Sequence, residues 1–582
     1  MAGGSSVNPM TRYLSRRKYH NRSVTKSSRD YAAVDLAIVA ESTYPYVRGG
    51  VSAVIHDIVQ ANPDRSVGII HIAWDSNCPT ETAYPLPPNV RWVYPVFLSM
   101  NEHIQDFKKL PMSSLGLAAS QRYQLAEQVF AALDALVVGD PEPMWHLYDQ
   151  AMNPRTMRYS LWPLLATQEF MSLALDRFAA IGMPFTDLFW LLREFFSLAC
   201  AISGADYPSA DVYHSHTTGY AGLLAAMAAR QNGGRVLLTE HNLYTRDTIN
   251  CLLDRNMSTV VSARDWRVDT DVEPEQRCWM AWYTEIGRLT YKAADYITYL
   301  YPTAIGEAAG LGSTVDKASI VPNGMLLDKF ESARARFVER RSDTPQSSSE
   351  RQWRLAYCAR LVPIKGLLDL ISAVSELVRS GVCNFTLDVM GHADETPDYA
   401  EQCYERAGEL GLEDYVHFLG NRNMADVLGD FDMLVLPSYN EGQPIVVLEA
   451  MTAGIPTVGT EVGGMAQLIS DPLTTKNGHT WQACGLLVDP GPTDKMADAL
   501  QTVMQDRAMY EQFARNARGR IVDFFQLEDA MAAYNQLYRE LGRTARGPGR
   551  EGHVRTLPPS AASQRQIDLI ATDSTTSADD KQ

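Results

Sequence analysis

VDLAIVAESTYPYVRGGVSAVIHDIVQ, residues 34–60, decides the fold. Its first seven residues form a short, mostly apolar run of the kind found in strands buried on both faces. Gly49 and Gly50 then interrupt the chain, and Val51, Val54, Ile55, Ile58 and Val59 follow at helical spacing. Strand, glycine-containing loop and helix together open an α/β unit. The same rhythm returns at VGIIHIA (67–73), DVYH (211–214), RVLLTEH (235–241) and DYITYL (295–300), with helical patterns such as GLLAAMAAR (222–230) in between. Strands alternating with helices predict a parallel, doubly wound sheet.

Residues 95–205 break this rhythm. Rich in Met, Phe, Leu and Trp, they read as a helical insertion that covers the first domain or lines an acceptor site. After PNG (322–324) come a charged helix and a polar, Ser-rich loop at 341–352. A second α/β series then runs through WRLAYCARL (353–361), NFTLDVMG (384–391), YVHFLG (415–420), DMLVLPS (432–438) and IPTVGT (455–460). The predicted fold class is therefore α/β, with two Rossmann-like doubly wound domains at 31–325 and 326–525. A helix at 526–541 and a Gly-, Pro-, Ser- and Thr-rich tail at 542–582, expected to be disordered, complete the chain. Two such domains face one another across a cleft, and ligands of such sheets bind beyond the carboxyl ends of the strands.

Composition narrows the function classes. The 582 residues include 52 Lys and Arg against 69 Asp and Glu, a net charge of −17. Residues 1–30 hold seven basic residues and one acid, with no apolar stretch behind them, so they do not read as a secretory signal. They read as a basic disordered arm, an organelle transit peptide and a weak membrane-surface anchor being the other readings. The remaining body is acidic, which disfavours general nucleic-acid binding. An anionic ligand must therefore meet a local cluster of donors. The most apolar stretch, DLFWLLREFFSLACAISG (187–204), is broken by Arg193 and Glu194, short of the roughly 18 apolar residues of a spanning helix. Eight scattered cysteines without a CxxC pair fit a reduced compartment and no zinc site.

The chemistry-bearing motifs lie in loops after strands. In SYNEGQPIVVLEAMTAG (438–454), Pro444 suits a first helical turn, so Glu441 precedes the helix and Glu449 lies roughly 8 Å along its axis. One carboxylate can reach a sugar ring while the other takes both hydroxyls of a ribose, and backbone N–H groups near Gly442 and Gln443 are free to donate. Spacing alone equally fits an acid favouring the helix dipole plus one exposed glutamate. In ARLVPIKG (359–366), Arg360 and Lys365 flank a short turn and either converge on a diphosphate or are two solvated cations. Asp269-Thr270-Asp271 has a D-x-D form but stands in a charged segment between helices and is not read as a metal site. No G-x-G-x-x-G follows the first strand, which argues against a nicotinamide enzyme.

The E-x7-E segment, ARLVPIKG and PNG, in their order along the chain, resemble the family-4 retaining glycosyltransferases of GT-B fold. ESTYPYVRGGVSAVIHDIV, DVYHSHTTGYAGLLAA and LLTEHNLYTRD are similar to the Pel exopolysaccharide glycosyltransferase (PelF-like) branch, the likeness covering about residues 34–540. The resemblance implies that Glu449 binds the nucleotide ribose, Glu441 the donor sugar, and Arg360 and Lys365 the diphosphate. It implies a donor loop at Gly49 and Gly50, further donor contacts from Gly442, Gln443 and Pro444, and catalytic histidines at His216 and His241. Arg246, Asn323, Gly463 and Gly464 are secondary candidates. One departure stands out: Gly-Gln-Pro follows Glu441 where many members carry an aromatic and a second glycine.

The implied activity is transfer of a hexose, with retention, from a nucleotide diphosphate sugar (UDP-glucose by resemblance) to a glycan or exopolysaccharide acceptor. No cofactor and no metal are expected. The implied setting is cytoplasmic, peripheral at the inner face of the membrane, beside a membrane polysaccharide-export partner. The alternatives are a small-glycoside synthase and a non-catalytic sugar-nucleotide-binding subunit of a membrane polysaccharide complex. Substituting Glu441 separates enzyme from binding module, since only an enzyme loses turnover.

Overall fold

The computed structural model describes residues 28–103, 116–178, 182–253, 272–343 and 351–546. The basic arm is represented only by a 3-10 turn at Ser28–Asp30, and residues 1–27 lie outside the described residues, as does Asp269-Thr270-Asp271.

The first domain opens with β1 (Val34–Glu41), α1 (Gly50–Gln60), β2 (Val67–Ala73) and β3 (Val90–Phe97). Five helices among the described residues follow: α2 (Ala119–Val137), α3 (Glu142–Ala151), α4 (Leu161–Leu165), α5 (Gln168–Phe178) and α6 (Phe185–Ser203). The sheet resumes with β4 (Ala210–Ser215), α7 (Gly219–Asn232), β5 (Arg235–Glu240), α8 (Tyr244–Leu253), α9 (Pro274–Ala293), β6 (Tyr296–Tyr299), α10 (Thr303–Gly310) and β7 (Ala318–Ile320). Its order is β3-β2-β1-β4-β5-β6-β7, every neighbour parallel. The helical insertion thus begins after β3, an edge strand that absorbs Pro95 because an edge need not donate every N–H.

The second domain comprises α11 (Glu331–Asp343), β8 (Trp353–Cys358), α12 (Leu367–Arg379), β9 (Phe385–Met390), α13 (Pro397–Glu409), β10 (Val416–Gly420), α14 (Met424–Val427) and β11 (Met433–Leu436). It continues through α15 (Ile445–Ala453), β12 (Thr457–Thr460), α16 (Met465–Ile469), the hairpin β13 (Leu473–Thr474) and β14 (Thr480–Trp481), β15 (Gly485–Val488), α17 (Thr493–Gln505) and α18 (Arg507–Phe524). The six-stranded sheet has the order β10-β9-β8-β11-β12-β15, again parallel throughout. Each domain holds its own apolar core.

The last helix among the described residues, α19 (Leu527–Arg546), runs past the residue 541 expected to end it. Ala530, Met531, Tyr534, Leu537, Tyr538 and Leu541 recur at helical spacing, and this stripe joins one apolar cluster with Val212 of β4, Leu237 of β5 and Val54, Ile55 and Ile58 of α1. The chain therefore returns to the first domain. At the junction Met325 and Gln526 pair in parallel, Met325 N–H donating to Phe525 O and Leu527 N–H to Met325 O. Gly324 permits this crossing, since a Cβ there would lie 2.4 Å from Gln526 O. No helix among the described residues is long and apolar enough to cross a membrane.

Candidate active site

The second domain's half of the cleft is built on two loops. After β8 the chain makes a 3-10 turn, Pro363–Lys365, and reverses at Gly366, whose φ is +67°. A Cβ at Gly366 would lie 2.1 Å from Pro437 O, and Tyr439 N–H donates to Ile364 O, so this turn is fixed against the loop after β11. That docking brings Lys365 Nζ to Glu441 Oε1 at 2.6 Å, where Ser438 Oγ also donates at 2.6 Å. Glu441 is only 7% exposed. Lys365, expected at a diphosphate, is thus paired with the other motif's glutamate. Arg360 takes a different partner, Glu395 Oε2 at 2.5 Å, and is half-exposed. The two cations therefore belong to separate ion pairs.

Pro444 caps α15 rather than entering its first turn, and Glu449 is the fifth residue of that helix. Burial pushes the Glu449 carboxyl up to about 7, against the pull of Lys329. Two glycines form the floor beneath Glu441. Gly463 has φ +54° and a Cβ there would meet Glu441 O at 1.7 Å, while Gly464 N–H donates to Gly442 O at 2.7 Å.

The first domain meets this floor directly. A Cβ on Gly442 would lie 1.9 Å from His241 O, so only glycine allows the approach. Gly49 is the extended N-cap of α1 and Gly50 its first residue, and a Cβ on Gly50 would touch Ile445 Cγ1 at 3.5 Å. Ile445 is the first residue of α15. The N-termini of α1 and α15 thus meet across the cleft, each bringing the partial positive charge of a helix start.

His216 and His241 share a hydrogen bond, Nδ1 to Nε2 at 2.8 Å, with their rings stacked 5.1 Å apart. Below them His214 bonds Tyr538 OH of α19 at 2.7 Å and Thr239 Oγ1 at 2.8 Å. Burial lowers all three imidazoles, His241 to about 4. They are neutral, so each has one donor and one acceptor nitrogen.

The expected donor contact Gln443 and the secondary candidates Asn323 and Arg246 all make bonds between the domains. Gln443 Oε1 accepts from Asn323 N–H at 2.6 Å and its Nε2 donates to Gln467 Oε1 at 3.0 Å. Asn323 Nδ2 donates to Gln443 O. Arg246 donates to Glu307 Oε2 at 2.5 Å, to Asn242 Oδ1 at 2.8 Å and to Asn440 Oδ1 at 2.8 Å, reaching the residue before Glu441. These side chains are buried, and their bonds brace the two domains against one another.

Sequence reasoning passed over Glu41 and Glu240, the last residues of β1 and β5. Burial raises both carboxyls to about 7. Their position at strand ends was the available signal. Among the described residues no group of three or more His, Cys, Asp or Glu is placed to hold a metal ion.

Two parallel sheets facing across a cleft define the GT-B architecture, and solved structures of that class match this chain. Sucrose-phosphate synthase from Thermosynechococcus elongatus aligns with a TM-score of 0.52 at 17% identity, over 87% of this chain and 99% of that one. HepE from Anabaena, solved with UDP, aligns with a TM-score of 0.50 at 14% identity over the same shares. At these identities the likeness is one of fold.

Residues 339–520 match the family model described as glycosyl transferases group 1, so the second domain is a group 1 glycosyltransferase domain. Residues 34–315 match a domain of unknown function, DUF3492. Among curated relatives, N-acetyl-alpha-D-glucosaminyl L-malate synthase of Bacillus anthracis is 26% identical over 196 residues, 34% of this chain and 47% of that protein. The chain spans about half the length of the curated relatives it matches first.

Proposed function

We propose that this protein is a retaining hexosyltransferase that moves a sugar, glucose from UDP-glucose, to a glycan or exopolysaccharide acceptor, without a metal, in the manner of the PelF-like branch. The observation that carries the reading is the meeting of two helix N-termini at Gly50 and Ile445, beside the loop that holds Glu441 and Lys365. A diphosphate gains negative charge as the sugar–phosphate bond breaks, and helix N-termini are ready-made anion sites. Fixed donors aimed at that charge lower the barrier, each worth about 100- to 1000-fold in rate.

In this reading Lys365 exchanges part of its bond to Glu441 for the diphosphate, freeing Glu441 to accept from a donor-sugar hydroxyl. Glu449 takes the ribose hydroxyls, and His216 and His241 face the sugar. Retention follows from same-face attack, with the departing diphosphate taking the acceptor proton, which asks for no dedicated protein base. HepE's complex with UDP supports the choice of nucleotide. The site works at the cytoplasmic face of a membrane, beside an export partner.

The test is a thermal-shift panel of UDP, ADP, GDP, TDP and their glucose conjugates without added metal. Ligand at about 100 times its Kd stabilises the fold by roughly 2.7 kcal/mol. A shift selective for UDP and UDP-glucose, lost in Arg360→Ala and Glu449→Ala, is the expected result. No shift with any nucleotide overturns the reading.

A further inference from the structure

The order of the first sheet reverses between β1 and β4, which are hydrogen-bonded neighbours while the chain leaves β1 toward β2. Such a switch point opens a crevice at the strand ends where ligands of open α/β sheets bind. Glu41 ends β1, and His216 follows the last residue of β4; the register pairs Val39 with Ser215, so the two residues end adjacent strands at nearly the same height.

The bonding at this crevice is incomplete. Glu41 Oε1 accepts from Tyr244 OH at 3.3 Å, and the Ala221 N–H at the start of α7 faces the carboxyl. Glu41 Oε2 is buried with no partner, and so is His216 Nε2, whose other ring nitrogen is held by His241. A buried polar atom left unpaired costs about 1–3 kcal/mol, so two of them at one crevice are a standing preference for a ligand that pairs them. Just beyond Glu41, Ser42 has φ +51°, a left-handed backbone rare for a residue other than glycine and typical of strained functional loops. Among the described residues no cation acts on the Glu41 carboxyl; its neighbours are the amide of Ala221 and the tyrosine hydroxyl.

We propose that this crevice is the acceptor subsite and that Glu41 Oε2 accepts a hydrogen bond from a hydroxyl of an uncharged sugar, with His216 on its flank. This rests on the transferase reading above. A phosphorylated acceptor is disfavoured here, because among the described residues no cation stands beside Glu41 to offset the phosphate's charge. The donor's diphosphate lies apart from it, at Lys365 and the facing N-termini of α1 and α15.

The experiment measures UDP release from UDP-glucose by the full chain, with water alone and with glucose, cellobiose, N-acetylglucosamine or glucose 6-phosphate as probe acceptors. At least one neutral sugar should accelerate release and glucose 6-phosphate should not. Glu41→Gln should raise the KM of that neutral acceptor about 10- to 100-fold. It should leave hydrolysis in water and the thermal shift with UDP within about twofold of wild type. Glu41→Asp, which keeps the carboxylate but withdraws it, should raise the same KM if Glu41→Gln does not fold. An unchanged acceptor KM in the folded variant makes Glu41 a mere cap on α7 and overturns the inference. So does acceleration by glucose 6-phosphate, or by none of the neutral sugars. A wild type that neither binds UDP nor hydrolyses UDP-glucose brings down the transferase reading itself, and the subsite with it.

Discussion

The two walls of the cleft hold their titratable groups in opposite ways. On the second domain the loop groups are paired ions, Lys365 with Glu441 and Arg360 with Glu395, whereas Glu449 inside α15 is shifted by burial. On the first domain His214, His216, His241, Glu41 and Glu240 are buried, and burial drives each toward its uncharged form. Charge can be kept near an anion that will arrive; neutral lone pairs and N–H groups suit hydroxyls. The proposed reaction uses that contrast, with the diphosphate drawn to Lys365 and the acceptor hydroxyls to the first wall.

The sharpest way to break the contrast is Lys365→Ala. It leaves Glu441 buried with Ser438 as its remaining partner. Sugar transfer should fall about 100- to 1000-fold, and stability by about 3–5 kcal/mol, read by UDP release and thermal unfolding. Lys365→Arg should recover stability better than activity, because a planar fork replaces a point charge.

Next in size are two glycines that separate wall from seam. Gly463→Ala must place a Cβ 1.7 Å from Glu441 O at positive φ inside one domain, so its Tm should drop by several degrees, well beyond the roughly 1 kcal/mol of a tolerated glycine change. Gly442→Ala meets His241 O across the cleft, where the domains can part. Its Tm should stay near wild type while its KM for UDP-glucose rises about tenfold. Equal Tm losses in the two variants would mean that the seam is as rigid as the wall.

The pH dependence of the neutral wall is smaller and has a definite sign. Glu240 has its folded pKa raised to about 7 from an ordinary 4.5. Between those values the folded protein keeps a proton that the unfolded chain has lost, so this contribution is full below about pH 4.5 and is lost as pH rises through 7. Glu240→Gln keeps an acceptor for Tyr291 and should flatten that fall, by up to about 1.4 kcal/mol per pH unit. The histidines act in the other direction: with His241 lowered to about 4, their contribution is present above about pH 6.5 and is lost as pH falls through 4. Thermal unfolding from pH 4 to 8 checks both. The smallest effect belongs to Arg360→Ala: half-exposed, its ion pair should be worth under about 1 kcal/mol of stability, so any loss of UDP affinity reads on the ligand alone.

Periodicity made the sheets legible. Runs such as VGIIHIA are continuous because parallel strands are buried on both faces, and glycine loops mark where they turn into helices. β3 escaped because Pro95 and only two buried residues, Trp92 and Val96, hide an edge strand. At the site, the rule that ligands lie beyond strand ends found the loops but not the bonds inside them. Lys365 and Glu441 are 76 residues apart, and nothing in either motif says that they share a proton donor and acceptor. Gln443, Asn323 and Arg246 look like ligands for the same reason that they make good struts, a polar side chain at a loop. Glu41 was silent because a lone acid at a strand end shows its value only once burial and missing partners are known. The apolar stripe of α19 announced an amphipathic helix without naming the surface it would cover.

That stripe has a consequence for how the protein is made. Because the chain crosses out near Met325 and back at Gln526, the second domain is threaded as one long excursion from a first domain that is finished only by its last helix. A nascent chain emerging from the ribosome can complete the second domain before the first, even though the first is synthesised earlier. Until α19 arrives, the apolar patch of β4, β5 and α1 stands uncovered. The order of synthesis and the order of completion are thus reversed, and Leu527–Arg546 act as the closing stitch.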